Sequence, residues 1–213
     1  MEKQYDYRAA FLIVDGVYNS ELTAPFDYPH HTIFHAQKGI QVFTIAPTKD
    51  VMTTFEGIRI LPDYGFESAD LAQIDILTVP STEQSLDSDF GNERLIRFVR
   101  AKGNQAKYVI SFCVGALVLA KAGLVAGYHY NTFPSDIELY KMRCPNLTDH
   151  EGVSFVLDRK LMTTAGEARS LDPSMYLVSL LYGNDVAKGV GKGMVIDWNI
   201  DDYQYVIVKD SIN

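Results

Sequence analysis

The sequence contains only two cysteines, Cys113 and Cys144, in 213 residues. That number excludes a disulfide framework, and a reducing compartment leaves both as thiols. No apolar run approaches the ~18 residues that span a bilayer, and the opening MEKQYDYRAA lacks the apolar stretch of a secretory signal. A cytoplasmic protein is therefore expected, in which the sequon Asn146-Leu147-Thr148 carries no meaning. Positive charge is scarce: 19 Lys and Arg stand against 27 Asp and Glu, a formal net charge of -8. Such a balance repels phosphate backbones and anionic lipid, so neither nucleic acid nor membrane is an expected partner. Repeats, low-complexity tracts and Pro/Ser-rich linkers are also missing, which predicts a single domain over residues 1–213.

What is present is enough apolar residue, 47%, to fill one core. Short β-rich runs alternate with stretches of helical period, the pattern of an α/β protein with a parallel sheet covered on both faces. Buried strands are predicted at residues 10–14 (AFLIV), 41–46 (QVFTIA), 74–79 (IDILTV) and 108–111 (YVIS). Residues 92–102 place Leu95, Ile96, Val99 and Ala101 mostly on one stripe opposite Arg94, Arg97 and Arg100, a surface helix. Residues 152–164 read as a hairpin about Asp158-Arg159-Lys160, and a helix is expected from Pro173 through Tyr182 until Gly183 ends it. The aromatic, acidic stretch 198–208 suits either a terminal strand or an interface arm.

The strongest chemical signal is Tyr108-Val-Ile-Ser-Phe-Cys113-Val-Gly115-Ala-Leu-Val-Leu-Ala120. An apolar strand runs directly into Cys, then Gly two residues on, then a helix: a nucleophile elbow built with cysteine. Backbone N–H groups and the positive helix end are expected to favour the thiolate, lowering the pKa below the ~8.5 of a free cysteine. The plainer reading makes Cys113 a small buried hydrophobe, as most free cysteines are. Its place at a strand-helix junction, where α/β sheets carry their sites, favours the reactive reading. Cys144, before Pro145 in a polar loop, lacks that context and reads as structural.

The segment FCVGALVLAKAGLVAG resembles the cysteine elbow and following helix of the ThiJ/PfpI superfamily, also described as class I glutamine amidotransferase-like. Residues 11–25, FLIVDGVYNSELTAP, are similar to the first strand and loop of the branch holding isocyanide hydratases and the sensor domains of AraC-type regulators. In that branch an acidic residue before Leu-Thr-Gly-Pro approaches the cysteine, and Glu21 holds that position. Thr163-Thr-Ala-Gly166 to Asp172 resembles the family's late Gly-rich turn and Asp before a helix. The resemblance implies a flavodoxin-like three-layer α/β/α sandwich with a mostly parallel sheet, a homodimer, and cysteine chemistry without cofactor or metal. An ionised Glu21 beside Cys113 raises the thiol pKa, whereas a protonated one lowers it by donating to the thiolate; the family arrangement implies the second.

Two departures limit the likeness. Family members with a Cys-His pair carry His after the Thr of a short strand past the cysteine, where this chain has Thr132-Phe133. A Cys-His peptidase mechanism is thus not expected, and His129, elsewhere on that strand, is read as structural. The usual Pro-Gly-Gly is here Pro80-Ser81-Thr82, whose side chains narrow the site, although the amides of Thr82 and Val114 still suggest an oxyanion hole.

Weaker patterns are set aside. Asp27, His31 and His35 have one-turn spacing, but Pro29 breaks that face and no fourth ligand follows, so metal is not expected and a subunit contact suits them better. The glycine run 183–193 matches no phosphate-loop pattern and reads as a mobile helix end or loop. The leading function is a cysteine-dependent enzyme that hydrates or hydrolyses a small electrophile with Cys113 and Glu21, isocyanide hydratase-like or else glyoxalase-like. The alternatives are a non-enzymatic redox or ligand sensor, acted on by an oxidant or small molecule, and an inert structural relative. Regulators of this superfamily also carry a helix-turn-helix module, for which the sequence has no length to spare, so direct transcription control is not expected.

Overall fold

The structure, a computed structural model, describes residues 5–69, 71 and 73–208. Its main sheet has strands β1 (Tyr5–Leu12), β2 (Gly39–Ala46), β3 (Tyr64–Gly65), β4 (Ile76–Val79), β5 (Tyr108–Phe112), β6 (Phe155–Asp158), β7 (Leu161–Thr164) and β8 (Tyr205–Ile207). Across the sheet they run β8-β6-β7-β5-β4-β1-β2-β3. Every pairing is parallel except the β6/β7 hairpin, so β6 and β8 oppose the rest. The principal helices are α1 (Asn19–His31), α2 (Glu93–Gln105), α3 (Gly115–Lys121), α4 (Ile137–Arg143), α5 (Leu171–Tyr182) and α6 (Asn184–Gly193).

The period-two alternation of β1 sorts the core into two shells. Ala10 and Leu12 join Leu95, Ile96 and Val99 of α2 and Val118 of α3, while Ala9 and Phe11 join Leu22 of α1 and Leu177 of α5. This is the expected flavodoxin-like three-layer sandwich. Each fully buried aliphatic or aromatic side chain contributes about 1.5–3 kcal/mol. An exposed ion pair such as Arg94 to Glu67, 3.8 Å apart, adds about 1 kcal/mol at most, so the shells hold the fold.

Several elements differ from the sequence expectations for definable reasons. Strand β1 begins at Tyr5 rather than residue 10, because its first half pairs with β2 but is only partly covered. Helix α1 continues through Pro25 and Pro29, which lie against Ala9, Phe11 and Ile76 of the sheet; that packing offsets the absent N–H bonds. The glycine run, expected as a mobile helix end or loop, is helix α6. A Cβ on Gly189 would lie 2.8 Å from His35 Nδ1, so the glycines let this helix close on His35. His31 binds Asp27 at 3.4 Å, and His35 follows a 3-10 turn (Thr32–Phe34), which takes it off the α1 face. Gly183, with φ 87°, ends α5 as expected, and of the two readings of 198–208 the terminal strand is the one formed, β8 pairing with β6. Among the described residues no helix is long and apolar enough to cross a membrane.

Candidate active site

Strand β5 ends at Phe112, and Cys113 turns the chain with φ 48°, a left-handed conformation that costs a non-glycine residue about 1–3 kcal/mol. Three contacts hold it there. The Cys113 N–H donates to the Thr164 carbonyl at 3.1 Å, and the Thr132 hydroxyl donates to the Cys113 carbonyl at 2.9 Å. Helix α3 then starts at Gly115, where a Cβ would sit 2.3 Å from the Val79 carbonyl oxygen. The elbow thus wedges between the ends of β4 and β7, and only glycine permits so close an approach.

Glu21 stands in the first turn of α1, fully buried. Its Oε2 accepts the Ser81 N–H at 2.7 Å and the Ser81 hydroxyl at 2.6 Å, and its Oε1 accepts the Glu167 N–H at 3.2 Å. Burial raises its pKa above the ordinary carboxylate value, opposed by these three donors. Gly166 closes the site from below. Its φ is 84°, and a Cβ there would fall 2.4 Å from Cys113 Cβ and 2.5 Å from Glu21 Oε1. The Gly-rich turn read from the sequence is therefore the wall shared by thiol and carboxyl.

The thiol behaves differently from the sequence expectation. Cys113 is only 6% exposed, and burial, followed by the Glu21 charge, pushes its pKa well above the ordinary value. Hydrogen bonding from the Ser81 side chain and the Val114 N–H pulls in the opposite direction and is outweighed. The helix behind the elbow has seven residues, so its end field is small beside the desolvation of a buried thiolate.

Cys113, Glu21 and Val114 are thus brought together, whereas Thr82 is turned to another task. Its N–H, expected in an oxyanion hole, donates to Ser85 Oγ at 2.7 Å, and its hydroxyl makes a short hydrogen bond to buried Asp89. The Ser81 hydroxyl was invisible as a site group because its partners lie on other segments; its one signal was a polar residue in place of glycine straight after Val79-Pro80. Phe133 packs beside the Cys113 and Tyr140 cluster, supplying bulk where a histidine would supply a base. His129 binds His150, Nδ1 to Nε2 at 2.7 Å, and its N–H donates to Asp158, which fits the structural role expected of it. Cys144 lies apart, behind Tyr140. Asp172 accepts from the Ser154 hydroxyl and faces Arg169 at 3.4 Å. A cleft of about 660 Å³ is lined by Asn131, Pro134, Ser154, Ala165 and Arg169 among others, with neither Cys113 nor Glu21 in its lining. Among the described residues no cluster of three or more His, Cys, Asp or Glu is arranged to hold a metal ion.

The chain is similar to known proteins over most of its length. The model of the DJ-1/PfpI family matches residues 7–177. An isonitrile hydratase of Pseudomonas putida is 28% identical over 183 residues, 84% of this chain and 73% of its own length. The HTH-type transcriptional regulator GbdR of Pseudomonas aeruginosa is 22% identical over 159 residues, 72% of this chain but 41% of the regulator. A crystal structure of a ThiJ/PfpI family protein from Pseudomonas syringae superposes with a TM-score of 0.79 at 24% identity, covering 92% of this chain and 78% of that one.

Proposed function

The chain belongs to the DJ-1/PfpI family, and from that premise we propose that it is a cysteine-dependent enzyme that adds water to a small electrophile, an isonitrile being the leading substrate class. The observation that carries the reading is the buried pair of Cys113, held in a left-handed elbow, and Glu21, set against the same glycine wall. Strain at a non-glycine residue persists where the surroundings impose it, and here the segments of Val79, Thr132 and Thr164 do.

In the proposed reaction the Cys113 proton passes to Glu21, and the thiolate adds to the terminal carbon of R–N≡C. That carbon takes the proton back from Glu21, giving a thioimidate, R–N=CH–S–Cys. Water then adds to the same carbon, giving one proton to Glu21, which passes it to the imine nitrogen; as the C–S bond breaks the remaining hydroxyl proton goes to the departing sulfur, leaving the formamide R–NH–CHO, the Cys113 thiol and the ionised Glu21 of the starting state. The Val114 N–H supports the sulfur while it is charged. With Cys113 so little exposed, a slim linear group suits the approach better than a bulky one. Turnover of a simple alkyl isonitrile to its formamide is expected in wild type, absent in Cys113→Ala and down at least a hundredfold in Glu21→Gln; unchanged turnover in either variant would sink the mechanism.

A second reading, a thiol oxidised in place as a redox sensor, draws on the same donors around the sulfur and on the likeness to a regulator. It predicts a mass gain at Cys113 and not at Cys144 under mild peroxide. A homodimer and a cytoplasmic location complete the proposal; both rest on the family resemblance and on composition.

A further inference from the structure

We propose that Glu167 is a positioning residue for Glu21: a bond from the Ser20 hydroxyl to its carboxylate holds its own N–H against Glu21 Oε1, the oxygen that takes the Cys113 proton. This inference deepens the reading of a Cys113 and Glu21 pair and rests on it. The two oxygens of Glu21 have different surroundings. Oε2 accepts both Ser81 donors, at 2.6 and 2.7 Å, whereas Oε1 accepts the Glu167 N–H at 3.2 Å. Oε1 is also the oxygen on the thiol side, since a Cβ on Gly166 would lie 2.5 Å from it and 2.4 Å from Cys113 Cβ. A carboxylate oxygen has about two lone-pair directions, so the Glu167 N–H takes one on Oε1 and leaves the other for a proton.

Glu167 meets that oxygen in an unfavourable backbone state. It opens the 3-10 turn Glu167–Ser170 with φ 51°, a left-handed conformation that a residue with a Cβ keeps only where its surroundings impose it. The turn is closed behind it by the Arg169 N–H on the Gly166 carbonyl at 3.0 Å, and the Gly166 N–H donates to the Thr164 hydroxyl at 3.1 Å. The side chain is fastened from the other direction, the Ser20 hydroxyl donating to Glu167 Oε2 at 2.7 Å. Ser20 and Glu21 are neighbours in the first turn of α1. One residue of the late turn therefore meets two successive residues of the helix, through its carboxylate and through its N–H. Two such bonds fix orientation as well as spacing, and the proton gains a defined destination. The S–H bond of Cys113 breaks, an O–H bond forms on Oε1, and the negative charge passes from carboxylate to sulfur. After burial and the Ser81 donors, Glu167 acts on Glu21 in two opposed ways: its N–H favours the ionised carboxylate and its own charge disfavours it. Removing the latch and removing the charge therefore move the ionisation of Glu21 in opposite directions.

The test is the pH midpoint at which Glu21 ionises, read from its carboxyl carbon by NMR and assigned with Glu21→Gln, in wild type, Ser20→Ala, Glu167→Gln, Glu167→Ala and Glu167→Gly. Glu167 is exposed, so these changes leave the core intact. The titratable groups facing Glu21 are Cys113, Tyr18 and Glu167, and the first two are common to the compared proteins. Ser20→Ala loses the latch and keeps the charge, and its midpoint is expected to rise by about half a pH unit or more. Glu167→Gln keeps an oxygen for the Ser20 hydroxyl and loses the charge, so its midpoint is expected to fall. Glu167→Ala and Glu167→Gly lose both, but glycine holds a positive φ without strain and keeps its N–H in place, so Glu167→Gly is expected to ionise at lower pH than Glu167→Ala. Loss of packing alone would make the glycine variant the worse of the two. Iodoacetamide alkylation of Cys113, mapped apart from Cys144, follows the pair: its rate is expected to fall in acid at the Glu21 midpoint, and this limb to move upward with it in Ser20→Ala. A midpoint that does not rise in Ser20→Ala, or does not lie lower in Glu167→Gly than in Glu167→Ala, overturns the latch and leaves the pair standing. An alkylation profile unchanged in Glu21→Gln, or an acid limb that stays in place while the Glu21 midpoint moves, overturns the pair itself.

Discussion

Cys113, Glu21 and Gly166 occupy one small volume, and each limits the others. A methyl group on Gly166 would overlap both the Cys113 Cβ and the Glu21 carboxylate. Gly166→Ala is therefore expected to destabilise the fold by about 2–5 kcal/mol, strain at positive φ adding to overpacking, and a melting experiment reads the loss. At the same scale, the Glu21 charge is the second largest cause raising the Cys113 thiol, after burial. Glu21→Gln is therefore expected to lower the pH at which the free thiolate first forms by direct ionisation while abolishing the internally supplied thiolate at neutral pH. Ultraviolet thiolate absorbance near 240 nm, followed against pH, distinguishes these two changes (~240 nm being the ordinary thiolate band). The elbow residues were legible in the sequence because strand, Cys, Gly and helix are contiguous. Ser81 and the redirected Thr82 amide were not, since which donor meets which acceptor is settled by segments brought together from distant parts of the chain.

Elements carry a second set of consequences. Helix α2 was read almost to its ends because its apolar stripe has a clear period and Asn92 caps it, the side chain accepting from the Leu95 N–H at 3.1 Å. Asn92→Ala is expected to cost about 1 kcal/mol, a fall in Tm of about 2–4 °C. Helix α6 defeated the same reading: its glycines lower helix propensity, and the burial of Ala187 and Val190 against Met175, Val178 and Trp198, with the close approach to His35, repays them. The short strands His129–Tyr130 and Thr148–Asp149, which bracket the α4 excursion, are clasped by the His129 and His150 rings. Burial, then the neighbouring His129, lower the His150 pKa, partly countered by Asp149. Protonation is thus harder in the folded state. The stability that the neutral ring supplies is complete above the unfolded value of about 6.5 and is lost as pH falls below it. Urea unfolding between pH 7.5 and 5.5 is expected to show a slope that shrinks in His150→Gln.

At the scale of the whole molecule, the alternation of short apolar runs and helical stretches sufficed to give the α/β class, whereas the direction of β6 and β8 depended on one hairpin and a late strand with little apolar signal. The proposed homodimer predicts a solution mass twice the 23.9 kDa of one chain. Phe55, Ile58 and Leu61, all exposed on the short hairpin region beside Tyr18, supply apolar area for such a contact, and Leu61→Lys is expected to shift the species toward monomer in light scattering. The site itself draws on Glu21, Ser81, Cys113 and Gly166, so it exists only once β1, β4, β5 and β7 have all closed into one sheet. A chain still short of that point carries an ordinary, accessible thiol. Pulse alkylation during refolding would then record Cys113 changing from the rate and pH dependence of an ordinary thiol to those of the closed site as the last strands dock, which makes the reactive centre a built-in clock for the completion of folding.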